Sequence, residues 1–164
     1  MENIYAENVL NYANKKDFDL NVSEFKDKSA LSYFDYVGMC KNFTCGDSAK
    51  LYIKTQKVEI EIKIKEEVKV EDSDNQNIFD AYNLNGKYLE TIIEIKHNSV
   101  GCAISIAGMN MLCEKLIGQD IENIKSRFLP SDIYNMFGVH IGLSRSSCAI
   151  MCYNCLQDIN YKSN

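Results

Sequence analysis

The sequence predicts an α+β domain, on three observations. Residues 50–65 and 91–96 alternate apolar with polar side chains, the period of a strand with one wet face. From Cys102 onward the apolar spacing changes to that of helices. Strands first and helices after is the order of a domain whose helices pack on one face of an antiparallel sheet, here a three-stranded one. A chain of 164 residues supports one hydrophobic core, so a single domain over 1–164 is expected.

The elements follow in order. Ile4, Val9, Leu10 and Tyr12 place a short amphipathic helix over 3–15, and residues 16–33 read as a polar mixed segment. A strand follows from Tyr36 to Cys40. Leu51, Ile53, Val58, Ile60, Ile62 and Ile64 then alternate with Tyr52, Lys54, Glu59, Glu61, Lys63 and Lys65, a β-branched strand pattern. Residues 66–88 break it with turn-forming runs at 72–77 and 83–86, an extended strand connection. Alternation resumes over Thr91 to Lys96, with Ile93 and Ile95 on one face. Ile104, Ala107, Met111, Leu112, Leu116 and Ile117 are spaced for a buried helix that stops at Gly118. Gln119 to Phe128 forms a second helix, and Pro130 opens a third through Ile133, Tyr134 and Met136. Gly138 and Gly142 mark a loop. A final helix begins near Ser146 or Ser147 and carries Ile150, Met151, Leu156 and Ile159.

Composition narrows the function classes. A net charge of −5 disfavours non-specific nucleic-acid binding, which needs a dense set of cations. No window is apolar for the length of a membrane helix, and the N-terminus lacks a secretory pattern, so a cytosolic protein with no membrane partner is expected. In a reducing compartment the seven cysteines are packed small residues, metal ligands or reactive thiols rather than disulfides.

Three of them stand beside a turn or at a helix start. In Cys45-Gly46-Asp47 the glycine lets a thiol and a carboxylate point at one spot. Gly101-Cys102 lies where a strand gives way to a helix, and Ser147-Cys148-Ala149 opens the last helix. A helix N-terminus favours the thiolate, the form that binds metal or attacks sulfur. Against this stands the common fate of a solitary cytosolic cysteine, which is to pack. The spacing is too wide for a local zinc knuckle, so periodicity alone leaves convergence open.

The ordered set resembles the iron–sulfur scaffold family of IscU, SufU and the N-terminal domain of NifU. The resemblance rests on Cys45-Gly46-Asp47, on Gly101-Cys102-Ala103-Ile104-Ser105-Ile106-Ala107 opening a long helix, and on Cys148-Ala149. The opening helix with Val9-Leu10-Asn11-Tyr12 and the stretch Leu116-Ile117-Gly118-Gln119-Asp120-Ile121-Glu122 add to it. It implies a SufE/NifU-like fold with Cys45, Asp47, Cys102 and Cys148 as ligands of a transient iron–sulfur cluster or of zinc. There are departures. Ser147 stands where IscU-type members have histidine, and Ile141-Gly142-Leu143-Ser144-Arg145 replaces their Leu-Pro-Pro-Val-Lys segment. The SufU-type insertion between the second and third cysteines is missing, and the extra length lies at 66–88 instead.

Two functions are expected from the resemblance. The first is a non-enzymatic scaffold that receives sulfur from a cysteine desulfurase and iron from a donor, then passes the cluster to acceptor apo-proteins. The second is a zinc-dependent sulfurtransferase in which Cys148 accepts persulfide sulfur, assisted by the charge of Arg145. A purely structural zinc domain ranks below both, because a closed cysteine site normally lacks the aspartate. The other candidates read as structure. Cys113, Cys152 and Cys155 fit core positions, Cys40 fits packing or a spare thiol, and His97 a satisfied histidine. The run 72–77 lacks the glycine and glutamate of a calcium loop. His140 is kept as a neighbour of the site.

Overall fold

The computed structural model describes residues 2–20, 32–59 and 88–161, and every structural statement below refers to them. The expected connection at 66–88 falls, but for Tyr88, outside the described residues, as do positions 60–65 of the second strand pattern, the 72–77 run and most of the 16–33 segment.

The chain begins with helix α1 (Glu2–Asn14) and continues into strands β1 (Tyr36–Asn42), β2 (Asp47–Glu59) and β3 (Tyr88–Val100). Helices α2 (Ala103–Leu116), α3 (Ile121–Arg127) and α4 (Pro130–Phe137) follow. A 3-10 turn (Leu143–Arg145) leads into α5 (Ser146–Ala149), α6 (Met151–Gln157) and a short strand β4 (Asn160–Tyr161). The sheet is antiparallel throughout, in the order β3-β2-β1-β4. The α+β class holds, with four described strands rather than the three expected. The fourth pairs Asn160 and Tyr161 with Val37 and Tyr36, and two residues are too few to show an alternating pattern.

A second correction concerns β3. Ile92 and Ile95 are buried, whereas Ile93 is exposed. The ladder explains it. Lys54 pairs with Glu94 and the adjacent Thr55 with Ile92, so Ile93 is an extra residue at a bulge and its side chain turns outward. The bulge resets the face on which every later residue of β3 lies.

Leu51, Ile53, Ile92 and Ile95 of the sheet meet Leu112 and Leu116 of α2, Ile133 and Phe137 of α4, and Leu156 of α6 in one core. Cys113, Cys152 and Cys155 are fully buried in it, as their spacing predicts. Ile117, expected within the buried helix, is exposed just past its end. The opposite face of the sheet is not wholly wet. Leu20, Phe34 and Tyr52 form a small second cluster there, with Val37 packed against it.

The C-terminal helix pattern is interrupted at Ile150, which separates α5 from α6. Ile150 N–H still donates to the Ser146 carbonyl at 3.0 Å and Asn154 N–H to the Ile150 carbonyl at 3.1 Å, so the chain continues through a bend. Ile159 lies beyond α6 yet is fully buried. No described helix is long and apolar enough to cross a membrane.

Candidate metal centre

Three junctions of this fold meet at one end of the sheet. The first is the hairpin between β1 and β2. Asn42 pairs with Asp47, leaving a four-residue loop, and the Asn42 side-chain oxygen accepts from Thr44 N–H at 3.1 Å. Gly46 N–H donates to the Asn42 carbonyl at 2.9 Å, and Gly46 takes φ +76°, where a side chain would be strained. That turn puts exposed Cys45 and buried Asp47 on one side of the hairpin. The second junction is the step from β3 to α2. Cys102 is the N-cap of α2, with extended backbone. The third is α5, whose third residue is Cys148.

The groups converge. One ligand atom each from Cys45, Asp47 and Cys148 lies within 4.8 Å of the others, with the Cys45 and Cys148 sulfurs 3.3 Å apart. Cys102 touches Asp47 and Cys148 through its thiol and stands 3.5 Å from the Ser105 hydroxyl. All four expected residues are therefore neighbours, Cys102 at the margin of the tighter trio. Arg145 is exposed on the 3-10 turn, three residues before Cys148. His140 is exposed on the loop after α4, beside a shallow cavity lined by Tyr134, Asn135, Gly138 and Val139. It is not part of the trio. His97 is buried and satisfied, between the Asn110 side-chain oxygen and the Ser99 hydroxyl, each at 3.0 Å.

The two buried members have opposite tendencies. Burial works to raise the Asp47 carboxyl pKa, but hydrogen bonds from Ser105, Cys45 and Cys102 outweigh it and hold the group below its ordinary value. Asp47 is thus an anion with its donors in place. Cys148 is the reverse. Burial first, then contact with the Cys45 and Cys102 thiols, pushes it up to about 12. The expectation of a helix terminus favouring its thiolate is corrected here. At 1% exposure, with two neighbouring thiols, a four-residue helix does not offset the desolvation.

Three residues around the site were given no role from sequence. Ser105 donates its hydroxyl proton to Asp47 Oδ2 and is itself buried. Its signal was present, since a position three after Cys102 lies on the same helix face. Asn42 places its amide nitrogen 3.8 Å from the Cys148 sulfur. Gly101 lies against Asp47, and a Cβ there would stand 2.6 Å from the carboxylate carbon. Neither of these two contacts has a local sequence signature.

The donor set fits a borderline or soft metal. Zinc–thiolate bonds of about 2.3 Å in a tetrahedron put sulfurs roughly 3.8 Å apart, so the trio needs only small adjustments to hold one ion. Thiolates equally suit iron and sulfide.

A family model described as NifU-like N terminal domain matches residues 63–162, a span that holds Cys102 and Cys148. The iron–sulfur cluster assembly scaffold protein IscU of Thermotoga maritima is 26% identical over 123 residues, covering 75% of this chain and 58% of that protein. The chain thus spans little more than half the length of this curated relative. A candidate iron–sulfur cluster assembly scaffold for the SUF system from Fervidobacterium islandicum shares the fold at TM-score 0.52 and 21% identity, over 95% of this chain and 96% of that one. The N-terminal part of a nitrogen-fixing NifU-like protein from Brucella abortus does so at TM-score 0.51 and 13% identity, over 96% and 92%. With the family model matched over more than half of its length, the chain belongs to the NifU-like N-terminal domain family.

Proposed function

We propose that this protein is a scaffold on which iron and sulfide are assembled into a cluster held by Cys45, Cys102, Cys148 and Asp47. The observation that carries the reading is the meeting of an exposed thiol, a buried thiol and an ionised carboxylate within 4.8 Å. Three thiolates and one carboxylate make an incomplete sulfur cage, weaker toward iron than four thiolates, which suits a cargo that must leave. Cys45, at the surface, is the thiol that arriving sulfur meets first. Cys148 loses its proton when a metal cation replaces the hydrogen bond it shares with Cys45. The partners are a cysteine desulfurase, an iron donor and acceptor apo-proteins.

One feature favours a second reading, the zinc-dependent sulfurtransferase. The trio is compact enough for a single ion. Bound zinc would supply a Lewis-acid hold on the thiolates. Here Asp47 stays as an ionised ligand, and a thiol released from the metal accepts persulfide sulfur. Cys148 takes that role with the exposed cation of Arg145 nearby in the chain.

The two are separated on anaerobically purified protein by assaying iron, sulfide and zinc, then adding a desulfurase, cysteine and ferrous iron. A visible charge-transfer band that disappears in Cys148→Ala is the scaffold result. Stoichiometric zinc, no cluster and faster desulfurase turnover selects the transferase. Metal content unchanged in Cys45→Ala, Cys102→Ala and Cys148→Ala overturns both.

A further inference from the structure

Away from this centre a second pair of cysteines lies where α6 packs against β1. Helix and strand come very close there, since a Cβ added at Gly38 would stand 2.2 Å from the Cys155 carbonyl oxygen. Cys40 lies two residues further along β1, on the same face as Gly38. Its thiol donates to the Met151 carbonyl at 3.2 Å, and the sulfur of Cys155, one helical turn after Met151, stands 3.5 Å from the Gly38 carbonyl oxygen, within hydrogen-bonding reach of the Cys40 thiol. Cys155 is fully buried, whereas Cys40 is partly open to solvent.

The contact makes the two thiols unequal. A hydrogen bond from Cys155 holds the Cys40 pKa below its ordinary value against the opposing effect of burial. The same bond, with burial, pushes Cys155 well up. The accessible sulfur is thus the better thiolate, and its buried neighbour keeps a proton to stabilise it. Cys113 and Cys152 give the contrast. Both are fully buried with raised pKa values, which is the profile of inert packing cysteines.

We propose that Cys40 and Cys155 form an oxidisable dithiol, a modification site for small peroxides that is separate from the metal centre. The Cys40 thiolate attacks one oxygen of hydrogen peroxide, breaking the O–O bond to give Cys40 sulfenic acid and hydroxide. The Cys155 sulfur then attacks the sulfenic sulfur. An S–S bond forms, the S–O bond breaks, and water leaves with the Cys155 proton. The pair loses two electrons and the peroxide gains them. Because both sulfurs lie in the same close strand–helix contact, a bond of about 2.05 Å closes by local adjustment of that contact. A thiol reductant reverses it. The disulfide would tether β1 to α6, the elements that lead to Asn42 and away from Cys148.

The test is disulfide mapping on the full chain. Reduced protein is treated with hydrogen peroxide, free thiols are alkylated with iodoacetamide, and the proteolytic fragments are sequenced by tandem mass spectrometry. The expected result is a bond between Cys40 and Cys155, with loss of alkylation at both and recovery after dithiothreitol. Cys155→Ala, checked for native circular dichroism, is expected to leave Cys40 as a sulfenic acid trapped by dimedone. Oxidation of Cys40 in the wild type with Cys155 still alkylated overturns the proposal. So does a bond from Cys40 to Cys45 or Cys148, or no reaction of Cys40 at peroxide levels that oxidise Cys45. The wild-type map decides whether or not the variant folds.

Discussion

Ser105 has one hydroxyl proton, and it goes to Asp47. The Cys102 thiol stands 3.5 Å from the same Ser105 oxygen, so a single serine touches two of the four proposed ligands. Ser105→Ala is expected to weaken zinc binding by about 10- to 100-fold, the usual loss when a ligand's supporting hydrogen bond is removed. Competition with a chromophoric chelator measures it, and unchanged affinity would refute the role. A second prediction concerns His97. Burial lowers its pKa, opposed by the hydrogen bond to Asn110 and the charge of Asp19. Nε2 donates to the Asn110 oxygen and Nδ1 accepts from Ser99, the pattern of a neutral ring. With its folded pKa below the unfolded value of about 6.5, the unfolded chain takes up the proton first as pH falls. Stability from this group is therefore full above that pH and is lost progressively below it. Melting temperatures from pH 8 to pH 5 should decline less steeply in His97→Gln than in the wild type.

Asp120 and Gly38 show what single positions do for whole elements. Asp120 caps α3 by accepting from Asn123 N–H at 2.9 Å, and its other oxygen accepts from Glu90 N–H of β3 at 3.0 Å. Asp120→Ala should cost about 1 kcal/mol for the cap, and more because the strand donor loses its partner, as urea unfolding would show. Gly38→Ala should cost about 1–3 kcal/mol, since α6 must move off β1 to admit the methyl group. The elements also show what the sequence could and could not reveal. Helices α2, α3 and α4 were legible because apolar spacing, the stop at Gly118 and the single proline all agree. The bulge at Ile93 was not. A strict alternation template cannot register one inserted residue, so Ile93 was placed on the face that Ile92 occupies. Strand β4 escaped for want of length. Cys102 and Cys148 announced themselves by position, but nothing local ties them to Cys45. Their meeting depends on β3 lying beside β2 and on α5 bringing the Cys148 side chain against the hairpin, which only the resemblance to a known family anticipated.

At the scale of the molecule, the proposed ligands join a hairpin, a strand–helix junction and a C-terminal helix that have no other reason to share one point. A metal held there is a cross-link among three regions of chain, and it binds the folded state far better than the unfolded one. At free zinc about 100 times the dissociation constant, the gain should be about 2.7 kcal/mol. A thermal scan with zinc and with a chelator reads it, and Cys45→Ser should reduce the shift. Identical melting temperatures in all these conditions would show that no ion binds at this place. Near the ligands the surface carries two large apolar side chains, Phe43 and Leu143, each more than nine-tenths exposed.

Gly101 and Asp47 are distant in the chain, yet the space for one is set by the other, because a methyl group at 101 would stand 2.6 Å from the Asp47 carboxylate carbon and 2.8 Å from its Cβ. In evolutionary terms the two positions are an ordered pair. Asp47 can be lost while Gly101 remains, leaving a folded protein with an altered site. Gly101 can acquire a side chain without displacing the hairpin only in a lineage that already has glycine at 47, because the Cβ of residue 47 alone would stand 2.8 Å away. A side chain at position 101 thus records, in any descendant of this sequence, that the carboxylate at 47 has gone.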